Sequence, residues 1–338
     1  MATRRQRLTL VVPNTGRSIS DDGWQTVEPE FIKTWKSAVT CLRERRVVVA
    51  GDSYTVSIDW TGALRRHERL HAARRYLYKG GDKAFPDRIL KARFPRRPSQ
   101  NSITVATSQS KGSLSVVESV IHDVFLIMNI ASPSCCDFHR ASLLGDQNEP
   151  DISLSNVYFD SALQVFLTHG WPYVLFLDLD KVLAWFDSVR QGASQVPKNP
   201  MEKVLFALLH IAKIDTSPLV IIWLFYAFES LLQTRVGENF SSIVRRLCLL
   251  LDTDVAQSAL VRKKMRELYE IRSAIVHGGF EVTHPMHNEQ LDKRANDSFM
   301  RILDVTDYGY SFLLGAVQKT IVKGWKYPQF EEVIRAGI

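Results

Sequence analysis

The sequence predicts an α+β fold, with a mixed α/β N-terminal region followed by an all-α helical bundle. Three observations carry this reading. Short β-rich runs bounded by turn residues are confined to the first part of the chain. A Gly- and Pro-containing stretch with little periodicity, residues 79–102, reads as a loop or linker-like insert. After about residue 151, apolar positions recur at helical spacing almost without interruption. Strands early and helices late argue for two domains, 1–150 and 151–338.

Taken in order, Leu8 to Val12 is a short strand. Residues Phe31 to Arg45 have helical spacing, with Phe31, Trp35, Val39 and Leu42 on one face. Val47 to Ala50 and Tyr54 to Trp60 flank Gly51-Asp52-Ser53 and read as a hairpin. Residues 61–78 return to helix and carry Arg65, Arg66, Arg69, Arg74 and Arg75. Ile103 to Ala106 is a further strand, Leu114 to Ile130 a helix, and 132–156 is loop-like. Tyr173 to Leu177 is a strand or a lead-in to a helix from Asp180 to Val189. Helices follow at 201–214, 217–235, 239–251, 257–277 and 294–322. Ser217-Pro218 opens the second of these as N-cap and first-turn proline, and Gly278-Gly279 stops the fourth. No internal repeat is present.

Hydrophobic residues make up 45% and charged residues 23% of the 338, which excludes fibrous and disordered classes. The basic start is followed by an apolar run of only Leu8 to Val12, too short for a secretory signal. Leu219 to Phe228 is too short for a membrane span and reads as a buried helix. Cys41, Cys135, Cys136 and Cys248 form no CxxC pair and have no zinc spacing with the histidines, so free thiols in a cytoplasmic protein, with no metal and no cofactor, are expected. Residues 1–100 hold 21 Lys and Arg against 10 Asp and Glu, whereas the rest hold 22 against 26. This N-terminal excess is either an electrostatic footprint for RNA, centred on the arginines of 61–78, or a solvated basic surface.

The segment with the strongest chemical content is Leu268-Tyr-Glu-Ile-Arg-Ser-Ala-Ile-Val-His-Gly-Gly279. It places Arg272 five residues before His277, with four intervening residues and an apolar filling, at the glycine-terminated end of a long helix. Together with Leu175 to Trp185 and Trp223 to Leu232, it resembles the ApeA-like branch of the HEPN superfamily of RNA-cutting and RNA-binding helical domains. The resemblance covers residues 172–322 and says nothing about 1–150. It implies a HEPN-like helical bundle, a homodimer with a composite site, and metal-independent RNA cleavage in a prokaryotic defence or toxin-like system. Arg272, Ser273 and His277 are the catalytic candidates it implies. Active members often carry Asn, Asp or His directly after the arginine; here the position is Ser273, whose hydroxyl can bond a phosphate or orient the arginine. Arg66 and His71 repeat the bare spacing, but without a glycine stop or apolar filling.

The residue types suit this chemistry. When the substrate's 2′-hydroxyl attacks the adjacent phosphorus, protons must move to and from the reacting oxygens, which histidine does near neutral pH. The phosphorane gathers negative charge, for which a guanidinium is a planar, permanently charged clamp. Five residues turn a helix by about 500°, so Arg272 and His277 do not share a line on it. The competing reading makes Arg272 half of an ion pair with Glu270, Glu267 or Glu229, and His277 a capping residue. Glu229, isolated on the most apolar helix, needs a partner, and Arg272 is the expected one. Asp178 and Asp180 read as helix-capping residues rather than metal ligands, and Asp252 and Asp254 as a loop and an N-cap. No P-loop, GxSxG, HExxH or GxGxxG occurs. A non-catalytic module that binds RNA or a partner, or senses a signal, is the alternative to the enzyme.

Overall fold

The computed structural model describes residues 6–12, 21–49, 51–78, 101–107, 113–139, 141–144, 152–190, 192–213, 217–234, 240–282, 284 and 292–331. The protein is α+β, with a helical C-terminal part. It divides into two compact units, the first holding Met1–Asn156, Phe176–Ala184 and Gln191–Gln195, the second Val157–Leu175, Trp185–Arg190 and Val196–Ile338. The expected boundary at residue 150 differs from this partition, because two later segments, 176–184 and 191–195, group with the N-terminal residues.

The first unit is built on a five-stranded antiparallel sheet in the order β2-β3-β4-β1-β5. Its strands are β1 (Gln6–Val12), β2 (Glu44–Val49), β3 (Asp52–Asp59), β4 (Asn101–Thr107) and β5 (Ser142–Leu144). The expected hairpin is β2–β3, turned at Gly51, whose φ of +90° is open to glycine at no steric cost. Alternation is clear in β3, where Tyr54, Val56 and Ile58 are buried. Helix α1 (Asp21–Cys41) begins ten residues before the expected start. It runs through Pro29, which removes one helical hydrogen bond. At its other end Arg45 belongs to β2, not to the helix.

The apolar face of α1 presents Phe31, Trp35 and Ala38 to the core, with Leu42 buried just past its end. The Trp35 indole N–H donates to the Cys135 carbonyl, and the Trp60 indole N–H to that of Leu42. Helix α2 (Thr61–Tyr78) follows β3 directly. Helix α3 (Ser113–Ala131) is the centre of this core; its stretch Leu114–Ala131 is long and apolar enough to cross a membrane and is mostly buried within the protein. The region 132–156, expected as loop, contains β5 and a bridge from Phe138 to Leu154. A three-residue strand has no readable period. The buried Asn129 amide donates to the carbonyls of Phe125 and Cys136 and so ties this region to α3.

The second unit is helical. A helix not anticipated from the sequence, α4 (Val157–His169), packs Tyr158 and Phe159 against Tyr310. The expected helices are α5 (Leu179–Val189), which contributes to both units, α6 (Pro200–Ala212), α7 (Val220–Leu231), α8 (Phe240–Leu251), α9 (Val255–Val276) and α10 (Lys293–Val322). At 30 residues, α10 is the spine of this unit, packing against α4, α7, α8 and α9. Residues 173–177 form no strand; instead the Gln318 side-chain amide bonds both the N–H and the carbonyl of Leu175. The start of α7 also departs from expectation. Its N-cap is Leu219, with no side-chain cap, and Ser217 lies one turn outside the helix.

Two features hold the bundle at close quarters. A side chain at Gly309 of α10 would bring a Cβ within 2.5 Å of a Leu268 methyl and 3.4 Å of a Leu224 methyl, so glycine lets α10 approach α9 and α7. The fully buried Glu202 of α6 faces Arg190 at 3.6 Å and accepts the Lys198 N–H. Such a charge is tolerated inside only with partners of this kind.

Candidate functional site

Helix α9 carries the candidate residues, and its sequence explains where it starts and stops. Asp254 is the N-cap and Gln257 completes a capping box, each side chain bonding the other's backbone N–H. Val261, Met265, Leu268 and Ile271 are its buried positions. His277 is the C-cap, its N–H bonded to the Ser273 carbonyl, and Gly278 follows with φ +74°, the left-handed conformation that ends a helix.

Arg272 lies on the side of α9 that faces α7. Its guanidinium sits 3.4 Å from a Glu229 carboxylate oxygen and over the Phe225 ring, 5.2 Å from the centroid. Phe225 and Glu229 are four apart on α7 and so share a face. Of the three carboxylates considered as partners, Glu229 is the one engaged; Glu267 is paired with Lys264 instead. Glu229 is not a buried charge on an apolar helix, because its side chain is 39% exposed and that of Arg272 33%. A 3.4 Å separation is long for a charge-assisted hydrogen bond, and the guanidinium keeps donors directed elsewhere.

His277 is exposed and Ser273 half-buried. Among the described residues no hydrogen bond or ion pair joins Arg272 to His277, as their angular separation on one helix requires. Ser273 and His277, four apart, are turned about 100° and 140° from Arg272 around α9. The same sector carries Arg262 and Arg266, with Tyr269 at its margin against Phe225, and Arg262 and Arg266 line a groove of about 790 Å3 between α8 and α9. Arg245 and Ser241 of α8 line its other wall. These arginines had no part in the sequence reading, although the i, i+4 spacing of Arg262 and Arg266 was visible; Arg245 becomes a neighbour only through packing.

In the first unit, Arg65 and Arg69 of α2 are exposed one turn apart. Arg66 is half-buried, and burial pushes its guanidinium below the ordinary arginine range. The side chains of Arg74 and Arg75 lie outside the described residues. His71 of the second Arg-x4-His match bonds the buried Glu28 carboxylate at 2.7 Å, a structural contact between α2 and α1.

Asp178 does not cap α5 through its side chain, which instead pairs with Lys33 of α1 at 3.1 Å. No group of three or more His, Cys, Asp or Glu side chains gathers as a metal site among the described residues. The four cysteines are free, and burial pushes the Cys41 thiol up to about 12, with Asp180 adding to the effect. Asp307 on α10 was not singled out from the sequence. Burial pushes its carboxyl up to about 7; the Ser161 hydroxyl opposes this, and the nearby Asp304 and Asp160 charges add to it. Compared with protein-family models, with curated proteins and with solved structures, the chain matches none.

Proposed function

We propose that the chain is a metal-independent endoribonuclease of the HEPN type, acting as a homodimer in a prokaryotic defence or toxin-like setting and needing no cofactor. The observation that carries the reading is the end of α9, where a solvent-exposed histidine caps a 22-residue helix five residues beyond a half-exposed arginine. In this reading His277 moves the proton to or from the reacting oxygens. Arg272 stabilises the charge on the phosphorane, held in position by Glu229 and Phe225. Ser273 bonds a non-bridging phosphate oxygen. Arg272 and His277 point away from each other on one helix, so a complete site takes the arginine of one protomer and the histidine of the other.

The pairing of Arg272 with Glu229 favours a second reading, a non-catalytic RNA- or partner-binding module in which the arginine serves packing. One experiment separates them. Purified protein is incubated with total RNA in EDTA and the ends are mapped. The enzyme leaves 2′,3′-cyclic phosphate ends with chelator present. Intact RNA, or products with 5′-phosphates, supports the module or a different mechanism.

A further inference from the structure

We propose that the groove between α8 and α9 is the track along which single-stranded RNA reaches His277. The RNA occupant rests on the ribonuclease reading above; the anion-binding character of the groove does not.

The first argument is helical geometry. Positions 262, 266, 269, 273 and 277 are spaced four, three, four and four, which confines them to a sector of about 80° on α9. Their exposure agrees, since Arg262, Arg266, Tyr269 and His277 are exposed and Ser273 is half-buried. The stripe is about 22 Å long at 1.5 Å per residue. Arg272 falls outside it, on the side of Val261, Met265 and Leu268.

The second argument is charge. Arg245, Arg262 and Arg266 line a groove of about 790 Å3, and among the described residues no carboxylate lies within ion-pair range of Arg262 or Arg266. Asp252 also lines the groove, but its carboxylate is held by Lys319 at 2.7 Å and Lys323 at 3.6 Å. The lysine hydrogen bond keeps Asp252 below the ordinary carboxylate range, so it stays paired and does not offset the arginines. The Arg262 and Arg266 guanidiniums, without carboxylates in range beside an open groove, select phosphate groups.

The third argument decides between single and double strands. At its Arg266 end the groove is lined by Phe240, and Tyr269 follows on the stripe toward His277. Arg266 lies over the Phe240 ring at 5.6 Å, and the Phe240 and Tyr269 rings are 5.2 Å apart. Tyr269 is 40% exposed. Unpaired bases stack on such faces while guanidiniums hold the backbone; a duplex hides its base faces.

The test measures binding and cleavage separately. A fluorescein-labelled 12-nucleotide single-stranded RNA is titrated by anisotropy with the full-length His277→Asn chain, which keeps the probe intact, over a range of KCl. Adding Arg262→Gln and Arg266→Gln should weaken binding at least tenfold at low salt. The slope of log affinity against log salt should flatten by about 1.4, at 0.7 per phosphate contact. Tyr269→Ala should weaken binding and leave the slope unchanged. Lys203→Gln, exposed on α6 away from α9, should alter neither. A duplex of the same length should compete poorly. In the wild-type background the arginine pair should raise KM for RNA cleavage.

Should the double arginine variant, or the charge reversal Arg262→Glu, bind with unchanged affinity and slope while circular dichroism shows it folded, the track is overturned. Equal competition by duplex overturns its single-strand character. Wild-type chain that binds as described and never cuts RNA leaves the track standing and removes the ribonuclease. RNA cleavage indifferent to Arg262 and Arg266 does the reverse.

Discussion

At Arg272 the guanidinium is shared between Glu229 and solvent, and this sets what its loss should do. Exposed pairs of this kind contribute about 0–1 kcal/mol. Arg272→Ala should therefore leave the melting temperature nearly unchanged while abolishing cleavage. Arg272→Lys should restore activity only in part, because an ammonium lacks the planar donor pair. His277→Asn keeps a hydrogen-bonding side chain and should still lose about 10²–10⁴-fold in rate. Single-turnover rates and thermal melts of the same variants check both. Variants as active as wild type would leave Arg272 and His277 with packing and capping roles alone.

Asp307 has the opposite profile, a residue outside the proposed chemistry that should dominate one pH response. Its carboxyl titrates at about 7 in the folded chain, against an ordinary 3.8. The folded state thus holds the proton more tightly than the unfolded state. The stabilisation is complete below pH 3.8 and is lost as the pH rises to about 7. Above that, a half-buried charged carboxylate lies near Asp304 and Asp160, with its buried Oδ1 lacking a hydrogen-bond partner. Asp307→Asn should raise the melting temperature at pH 8 and flatten its decline between pH 4 and 7. A wild-type pH profile in this variant would place the group's pKa in the ordinary range.

Among the elements, the crossing of α9 and α10 depends on one missing side chain. At Gly309 an alanine methyl would overlap the end of the fully buried Leu268, a clash only partly offset by the about 1 kcal/mol of helix propensity that alanine regains. Gly309→Ala should accordingly be destabilising, by less than Gly309→Val. Gly309→Val adds two branches against Leu268 and Leu224 and should cost about 1–3 kcal/mol by overpacking. Denaturation midpoints of the two variants measure the difference. Equal stability would mean the helices have room to separate.

The charge of the whole molecule is divided along the chain, and the basic N-terminal hundred residues should add salt-dependent RNA affinity. Only Arg65 and Arg69 are exposed among the described arginine side chains of α2. Replacing that pair with Gln should flatten the salt slope by about 1.4, at 0.7 per contact. Arg66→Gln should act on stability, since its guanidinium is half-buried. An unchanged slope would make this surface merely solvated. Assembly is tested by complementation. If the site is composite, inactive Arg272→Ala and His277→Ala chains mixed and allowed to exchange should recover about a quarter of wild-type activity, because half the dimers are mixed and each holds one complete site. Sedimentation as a strict monomer at micromolar concentration would leave no composite site.

Periodicity alone determined the α+β order of this protein, most of its helices, the β2–β3 hairpin and the glycine stop after His277, because local spacing and turn chemistry are written in neighbouring residues. It misplaced what long-range contacts override. Helix α1 starts ten residues before Phe31, the three residues of β5 are a strand only because β1 pairs with them, and of the two readings of Tyr173 to Leu177 the lead-in stands, tied by the Gln318 amide. The candidate residues Arg272, Ser273 and His277 came from the resemblance to a family motif, and Glu229 as the partner of Arg272 from its isolation on an apolar helix. Tertiary structure decided the rest. It put Glu229 at the surface, brought Arg245 of α8 opposite Arg262 and Arg266, and left Asp307 half-buried near two other carboxylates. Exposure and the meeting of two helix faces depend on how elements pack, and no single segment of sequence carries that information.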